Sequence, residues 1–224
     1  GEELSYFIIA DENSYHFFGS AQDHKRVGEG DTGPNTGGMG AYSPAPLLTS
    51  ALDEKIKKKI IEPTLKSMKK MGHPYKGFLY AGLMISKNEP YLIEYNIRMG
   101  DPECQVLMMR LESDFLEIIE STFNQTLNKI KINWSKDPCI TIVAASKGYP
   151  GNFEKLKEIR NIKVYKDLNK QLFHASTIKD KKGKIFTNGG RVLSATVLDA
   201  SIKEARNKAL KILDEIELEN KYYR

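Results

Sequence analysis

The stretch Ile93-Glu94-Tyr95-Asn96-Ile97-Arg98-Met99-Gly100-Asp101-Pro102-Glu103 gathers a carboxylate, an amide, a guanidinium and a helix start into eleven residues. It continues the apolar run Pro90–Asn96, which reads with Phe78–Ser86 as two strands joined at Lys87-Asn88-Glu89. Side chains on a strand alternate, so Glu94 and Asn96 share a face, and Arg98 joins them where the extended geometry persists. A carboxylate beside an amide oxygen is a hard donor pair of the kind Mg2+ takes, with waters or nucleotide phosphates completing its shell. Arg98 adds a planar, permanently charged fork for a phosphate or carboxylate. Asp101 then reads as the N-cap, and Pro102 as the first position, of a helix running to about Phe123. The unpaired N–H groups of that helix start would face an anion. A bare Glu-x-Asn is more often the solvated face of a half-exposed strand, but the full string is far more specific.

Outward from this stretch, Leu4–Ala10 and Tyr15–Ser20 are β-rich runs separated by Asp11-Glu12-Asn13-Ser14, a hairpin. From Asp23 to Pro46 neither strand nor helix periodicity survives, and six glycines fall between Gly28 and Gly40. That pattern predicts a long loop, either a functional one, with Gly37 and Gly38 letting backbone approach a ligand or form an anion nest, or a mobile surface loop. At its mouth Gln22-Asp23-His24-Lys25-Arg26 sets a carboxylate, an imidazole and two cations in a row. Lys25 and Arg26 suit phosphate or carboxylate contacts, whereas His24 reads as an ordinary polar contact rather than an acid–base group. The loop matches neither Gly-x-Gly-x-x-Gly between strand and helix nor the pattern ending Gly-Lys-Ser/Thr. Thr49 or Ser50 caps a helix to about Met71, which Pro63 should kink or split.

Residues 124–137 are polar, hold the lone Trp134, and read as a linker or crossover. Beyond it, Cys139–Ala145 is a continuous β run. Shorter strands are expected near Lys163–Tyr165, Leu172–Thr177, Lys184–Thr187 and Gly190–Leu198, with a closing helix from Ser201 to about Glu217. Asn188-Gly189-Gly190-Arg191 reads as a tight hairpin turn that delivers Arg191. The chain thus divides into residues 1–127, a linker at 128–137 and a small α+β unit at 138–224.

Bulk properties narrow the function classes. Thirty-four basic against 29 acidic residues leave a net charge of +5, spread over lysines on helices and turns. That spread reads as a solvated surface rather than a nucleic-acid footprint. Cys104 and Cys139 have no Cys-x-x-Cys spacing, so a zinc site or disulfide framework is not expected. With no long apolar run either, a soluble cytoplasmic monomer without membrane or nucleic-acid partners is the expectation.

Several motifs together resemble one family. They are Gln22-Asp23-His24-Lys25-Arg26-Val27-Gly28, the glycine-rich string through Ser43-Pro44, Gly77-Phe78-Leu79-Tyr80-Ala81-Gly82-Leu83-Met84 and Arg98-Met99-Gly100-Asp101-Pro102-Glu103-Cys104-Gln105. In the C-terminal part Gly148-Tyr149-Pro150-Gly151, Phe173-His174-Ala175 and Thr187-Asn188-Gly189-Gly190-Arg191-Val192-Leu193 join them. The whole chain resembles the phosphoribosylamine–glycine ligases, also called glycinamide ribonucleotide synthetases.

The resemblance implies an α+β fold: the C-terminal part of an ATP-grasp domain, an antiparallel sheet with helices, followed by a small α+β C-terminal domain. It implies ATP-dependent joining of 5-phosphoribosylamine to glycine through a glycyl phosphate, in purine synthesis. It assigns Glu94 and Asn96 to Mg2+ or Mn2+, and Arg98 and Asp23 to catalysis. Gly37, Gly38, Lys25 and Asn96 would contact the nucleotide, while Arg98, Arg191 and Asp101 would bind substrate. Two departures stand out. The strand Tyr80-Ala81-Gly82-Leu83-Met84 lacks the acid that ATP-grasp relatives often place there. The resemblance also implies a nucleotide-clasping N-terminal half outside these residues, without which the chain is expected to be inactive. Another ATP-grasp ligase or carboxylase, or a non-catalytic binding module, are the competing readings.

Overall fold

A computed structural model describes all 224 residues. Strand β1 (Glu2–Asp11) turns back into β2 (Tyr15–Asp23), with Ser5 opposite Ala21 and Ala10 opposite Tyr15. The buried carboxylate of Asp11 builds the turn, accepting from the N–H groups of Asn13 and Ser14 at 3.1 and 2.7 Å. The expected long loop is in fact threaded by three short strands, β3 (Arg26–Gly28), β4 (Thr32–Asn35) and β5 (Gly40–Ser43), the first two paired antiparallel. Glycines masked these strands, because a strand held by backbone pairing alone leaves no side-chain pattern.

Thr49 caps α1 (Ser50–Ile56) by accepting from Leu52 N. The helix does not break at Pro63. It widens into a π-helical turn, Lys57–Ile61, and continues as α2 (Glu62–Lys70). Proline removes one N–H and crowds the carbonyl four residues back; the wide turn gives that ring room, with Glu62 N–H reaching back to Lys57 O.

Strands β6 (Lys76–Ser86) and β7 (Glu89–Asn96) form the second hairpin. Its two loop residues, Lys87 and Asn88, both have positive φ (51° and 59°), the backbone of a type I′ turn. The single helix expected with Asp101 as N-cap and running to Phe123 is two helices: α3 (Glu103–Arg110), starting one residue late, and α4 (Phe115–Phe123). Leu111 leaves the helix to bridge Trp134, and Asp114 recaps the chain by accepting from Leu116 N and Glu117 N.

The rest comprises β8 (Cys139–Ala145), β9 (Glu158–Ile159), β10 (Lys170–His174), β11 (Thr177–Lys179), β12 (Ile185–Thr187), β13 (Arg191–Leu198) and α5 (Ile202–Glu215). No strand forms at Lys163–Tyr165; the short strand lies earlier, at β9. Ser201 caps α5 in a mutual arrangement with Glu204. No helix is long and apolar enough to cross a membrane.

Contacts divide the chain into two compact units. One holds residues 1–22, 43–100 and 111–136; the other holds 23–42, 101–110 and 137–224. In the first unit the strand order is β2-β1-β6-β7, all antiparallel. Leu4, Tyr6, Ile8 and Ala10 of β1 meet Leu79, Ala81, Leu83 and Ile85 of β6 beneath Leu52, Ile56 and Ile61 of the helical segment. The opposite face of β1 is buried too. There Phe7 stacks on Tyr80, Phe18 meets Phe78 and Trp134 edge-on, and Leu127 is fully buried. Trp134 and Leu127 therefore pack into this core. In the second unit β10-β13-β8-β5 run side by side, β11-β12-β9 form a smaller sheet, and Ala205, Ala209, Ile212 and Leu213 of α5 pack on Ile142, Ala144, Val192 and Ala195.

Candidate functional site

The first unit carries the carboxylate–amide pair. Strand β7 pairs with β6 so that Asn96 lies opposite Tyr80 and Glu94 opposite Gly82. A bulge between Leu92 and Glu94 sets Leu83 opposite Leu92 and leaves Ile93 as the extra residue. It puts Leu92 and Tyr95 together beside Pro63 and Thr64, while Glu94 and Asn96 keep the other face. Their side chains touch, the Asn96 amide donating to Glu94 Oε1 at 3.1 Å. Glu94 is exposed and Asn96 half-buried. The strand ends at Asn96, so Arg98 stands in a bend rather than on that face, and its Nη1 donates to Met99 O at 2.9 Å.

Two hard oxygen donors on one face fit Mg2+ or Mn2+, which take few protein ligands and fill the shell with water or phosphate. No cluster of three or more His, Cys, Asp or Glu side chains that could hold a metal occurs in the chain. Sequence reasoning missed Tyr80. Its phenol lies beside Gly82 and accepts from Ser5 Oγ at 3.2 Å.

The second unit gathers another set. Arg191 Nη1 donates to Gly37 O at 2.8 Å, Gly38 O at 3.4 Å and Asp101 O at 2.7 Å, and Nη2 reaches Asp101 Oδ2 at 3.1 Å. The glycine segment is held from its other side as well. Gly37 N donates to the Tyr149 hydroxyl at 2.9 Å, Gly38 N to Thr36 Oγ1 at 3.0 Å, and Thr36 Oγ1 in turn to Lys25 O at 2.7 Å. Gly38 has φ +110°, and a side chain there would strike Pro102 at 2.5 Å and Asp23 Oδ1 at 2.7 Å. Thus Asp23, Gly37, Gly38, Asp101 and Arg191 come together, and Lys25 contributes its carbonyl.

Asn188-Gly189-Gly190 is not the expected hairpin turn. β12 pairs with β11 and β9, whereas β13 pairs with β10 and β8, so the segment carries the chain from one sheet to the next. Its glycines answer close approach instead: a Cβ at Gly190 would fall 2.1 Å from the Tyr149 ring, and one at Gly189 2.5 Å from Ser176 Oγ. Tyr149 had no assigned role in the sequence, and a paired Gly-Gly facing an aromatic was the available signal.

His24 parts from Asp23. It lines a cavity of about 390 Å³ with Tyr42, Ile142, Ile202 and Arg206, its ring tilted against that of Tyr42. Burial lowers its pKa, Arg224 lowers it further, and Asp31, 3.8 Å away, pulls the other way.

Two family models match: "Phosphoribosylglycinamide synthetase, ATP-grasp (A) domain" over residues 1–104, and "Phosphoribosylglycinamide synthetase, C domain" over residues 139–224. The chain belongs to the phosphoribosylglycinamide synthetase family. Within that family the phosphoribosylamine–glycine ligase of Agrobacterium fabrum is 50% identical over 224 residues, covering all of this chain and 52% of the relative. The chloroplastic phosphoribosylamine–glycine ligase of Arabidopsis thaliana is 46% identical, covering all of this chain and 43% of the relative. The chain spans about half the length of the curated relatives it matches. The crystal structure of the Thermotoga maritima phosphoribosylamine–glycine ligase superposes with a TM-score of 0.85 at 34% identity, over 100% of this chain and 55% of that one. A biotin carboxylase subunit of pyruvate carboxylase shares the fold alone, with a TM-score of 0.67 at 15% identity over 99% of this chain and 47% of that one.

Proposed function

We propose that the chain forms part of an ATP-dependent ligase joining glycine to 5-phosphoribosylamine. The observation that carries the reading is the Glu94–Asn96 pair on one face of β7 in a chain of this family, at 3.1 Å from each other. The γ-phosphoryl group of ATP passes to a carboxylate oxygen of glycine, releasing ADP. The amine nitrogen of phosphoribosylamine then attacks the glycyl carbonyl carbon, the carbon–oxygen bond to phosphate breaks, and the amine loses a proton.

Glu94 and Asn96 would hold Mg2+ or Mn2+, which offsets charge on the transferring phosphoryl group. Arg98 would meet the acyl phosphate after leaving the Met99 carbonyl. As the family resemblance implies, Asp23 would serve catalysis, and Asp101 and Arg191 would bind substrate. Gly37, Gly38 and Lys25 would line the nucleotide with backbone and cation. No covalent enzyme intermediate is required, since positioning and charge stabilisation lower the barrier. The two free thiols, Cys104 and Cys139, suit the reducing cytoplasm.

The test is a coupled ADP-release assay on the full-length protein encoded by the frame that contains this chain. With ATP and phosphoribosylamine, ADP is expected with glycine and not with bicarbonate. Turnover with bicarbonate alone would overturn the reading.

A further inference from the structure

We infer that the Tyr80 phenol, lodged in the space that Gly82 leaves open, positions the Glu94 carboxylate for its metal. The inference rests on the metal reading of Glu94 and Asn96 and adds a residue to it.

Direct cross-strand neighbours have their side chains side by side on one face of the sheet. Asn96 has Tyr80 as that neighbour, and Glu94 has Gly82. Because Gly82 bears no side chain, the Tyr80 ring leans along the strand into the gap. A Cβ built at Gly82 falls 3.4 Å from the phenol oxygen and 3.3 Å from Glu94 Cγ. The φ of Gly82 is not positive, so backbone freedom does not account for this glycine; side-chain space does.

The two neighbours of that gap differ in freedom. Glu94 is exposed, with three rotatable bonds to fix before an ion can be held. Tyr80 is 6% exposed, stacked on Phe7 with centroids 4.9 Å apart and planes 16° from parallel. Its oxygen accepts from Ser5 Oγ, itself 4% exposed, which turns the phenol proton away from Ser5. Asn96 engages Glu94 Oε1 from one side along β7. The Tyr80 oxygen and Glu94 Cγ border the same space over Gly82 from β6 and β7. A glutamate whose carboxylate is engaged by an amide and whose stem borders the same gap as a fixed ring has fewer orientations to lose, and partners that orient a ligand typically change metal affinity by about 10- to 100-fold. Tyr80 is thus a positioning residue that acts through Glu94.

The test is a titration of the full-length protein with Mn2+ alone, free ion being read by electron paramagnetic resonance. Thermal midpoints are recorded for each variant. Tyr80→Phe keeps the ring stack but removes the acceptor of the Ser5 hydroxyl, so it should weaken Mn2+ binding about 10-fold and lower the midpoint by a few degrees. Gly82→Ala leaves every buried polar group in place but presses on Glu94, and should weaken binding in the same direction. Glu94→Gln should abolish specific binding. In turnover assays saturating Mn2+ should restore Tyr80→Phe and Gly82→Ala, but not Glu94→Gln. Parental Mn2+ affinity in both Tyr80→Phe and Gly82→Ala, with Glu94→Gln impaired, would overturn this inference and leave the metal reading standing. Parental affinity in Glu94→Gln would overturn the metal reading itself. Should Tyr80→Phe fail to fold, Gly82→Ala decides.

Discussion

At the residue scale, the Arg191 guanidinium in the second unit is a clamp on the glycine segment. It donates to three carbonyls and a carboxylate, a fork that a single ammonium cannot reproduce. Arg191→Lys should therefore speed amide hydrogen exchange at Thr36–Gly38 while leaving α5 protected, as exchange mass spectrometry would show. Gly38 is a harder constraint, since its positive φ and the 2.5 Å approach to Pro102 both exclude a side chain. Gly38→Ala should cost about 2 kcal/mol in urea unfolding; a neutral result would mean that the segment moves aside. Alternation along β7 made the shared face of Glu94 and Asn96 legible in the sequence. Tyr80 was not legible, because the Glu94 that shares its gap over Gly82 lies on another strand, and cross-strand register is a tertiary fact.

At the element scale, the β1–β2 turn hangs on Asp11. Its carboxylate reaches 116 residues along the chain to accept from Leu127 N at 3.0 Å, besides Asn13 and Ser14. Burial acts to raise the pKa of this group, but the N–H groups of Ser14, Leu127 and Asn13 more than offset it, so the net shift is downward from 3.8. A depressed folded pKa means stabilisation that is present above the unfolded value and lost as pH falls through the folded one. Thermal midpoints should therefore drop below about pH 4 in the parent. Asp11→Asn should start lower at pH 7, by about 2 kcal/mol, and show a shallower acid limb. A parallel acid limb in both proteins would remove Asp11 from the cause. The hairpin itself was readable from its turn residues. The 3₁₀ turn Leu127–Lys129, whose first residue meets Asp11, was not, since polar residues 124–137 carry no periodicity.

At the scale of the whole molecule, the two thiols report on folding. Burial pushes the Cys139 thiol up to about 12, with Arg110 pulling weakly the other way, and burial with Asp101 and Glu103 raises Cys104. Thiolate is the reactive form, so at pH 8 an aromatic disulfide reagent should label neither quickly in the native protein and both in denaturant. Rapid native labelling of Cys139 would contradict its buried place on β8.

Periodicity and turn chemistry were enough to reveal two hairpins, the closing helix and the polar face of β7, because these depend on residues near one another in the chain; the family was legible only as a resemblance of whole motifs. Tertiary structure alone decided the rest. It split the expected Asp101–Phe123 helix at the Leu111–Trp134 bridge, absorbed Pro63 in a π turn, and turned Asn188–Gly190 from a hairpin into a crossing between sheets. It also separated His24 from Asp23 and brought Tyr80 and Glu94 to the same space over Gly82. Apart from the π turn, which answers Pro63 itself, these outcomes depend on partners on other elements, and local propensities are too weak to override long-range packing and pairing.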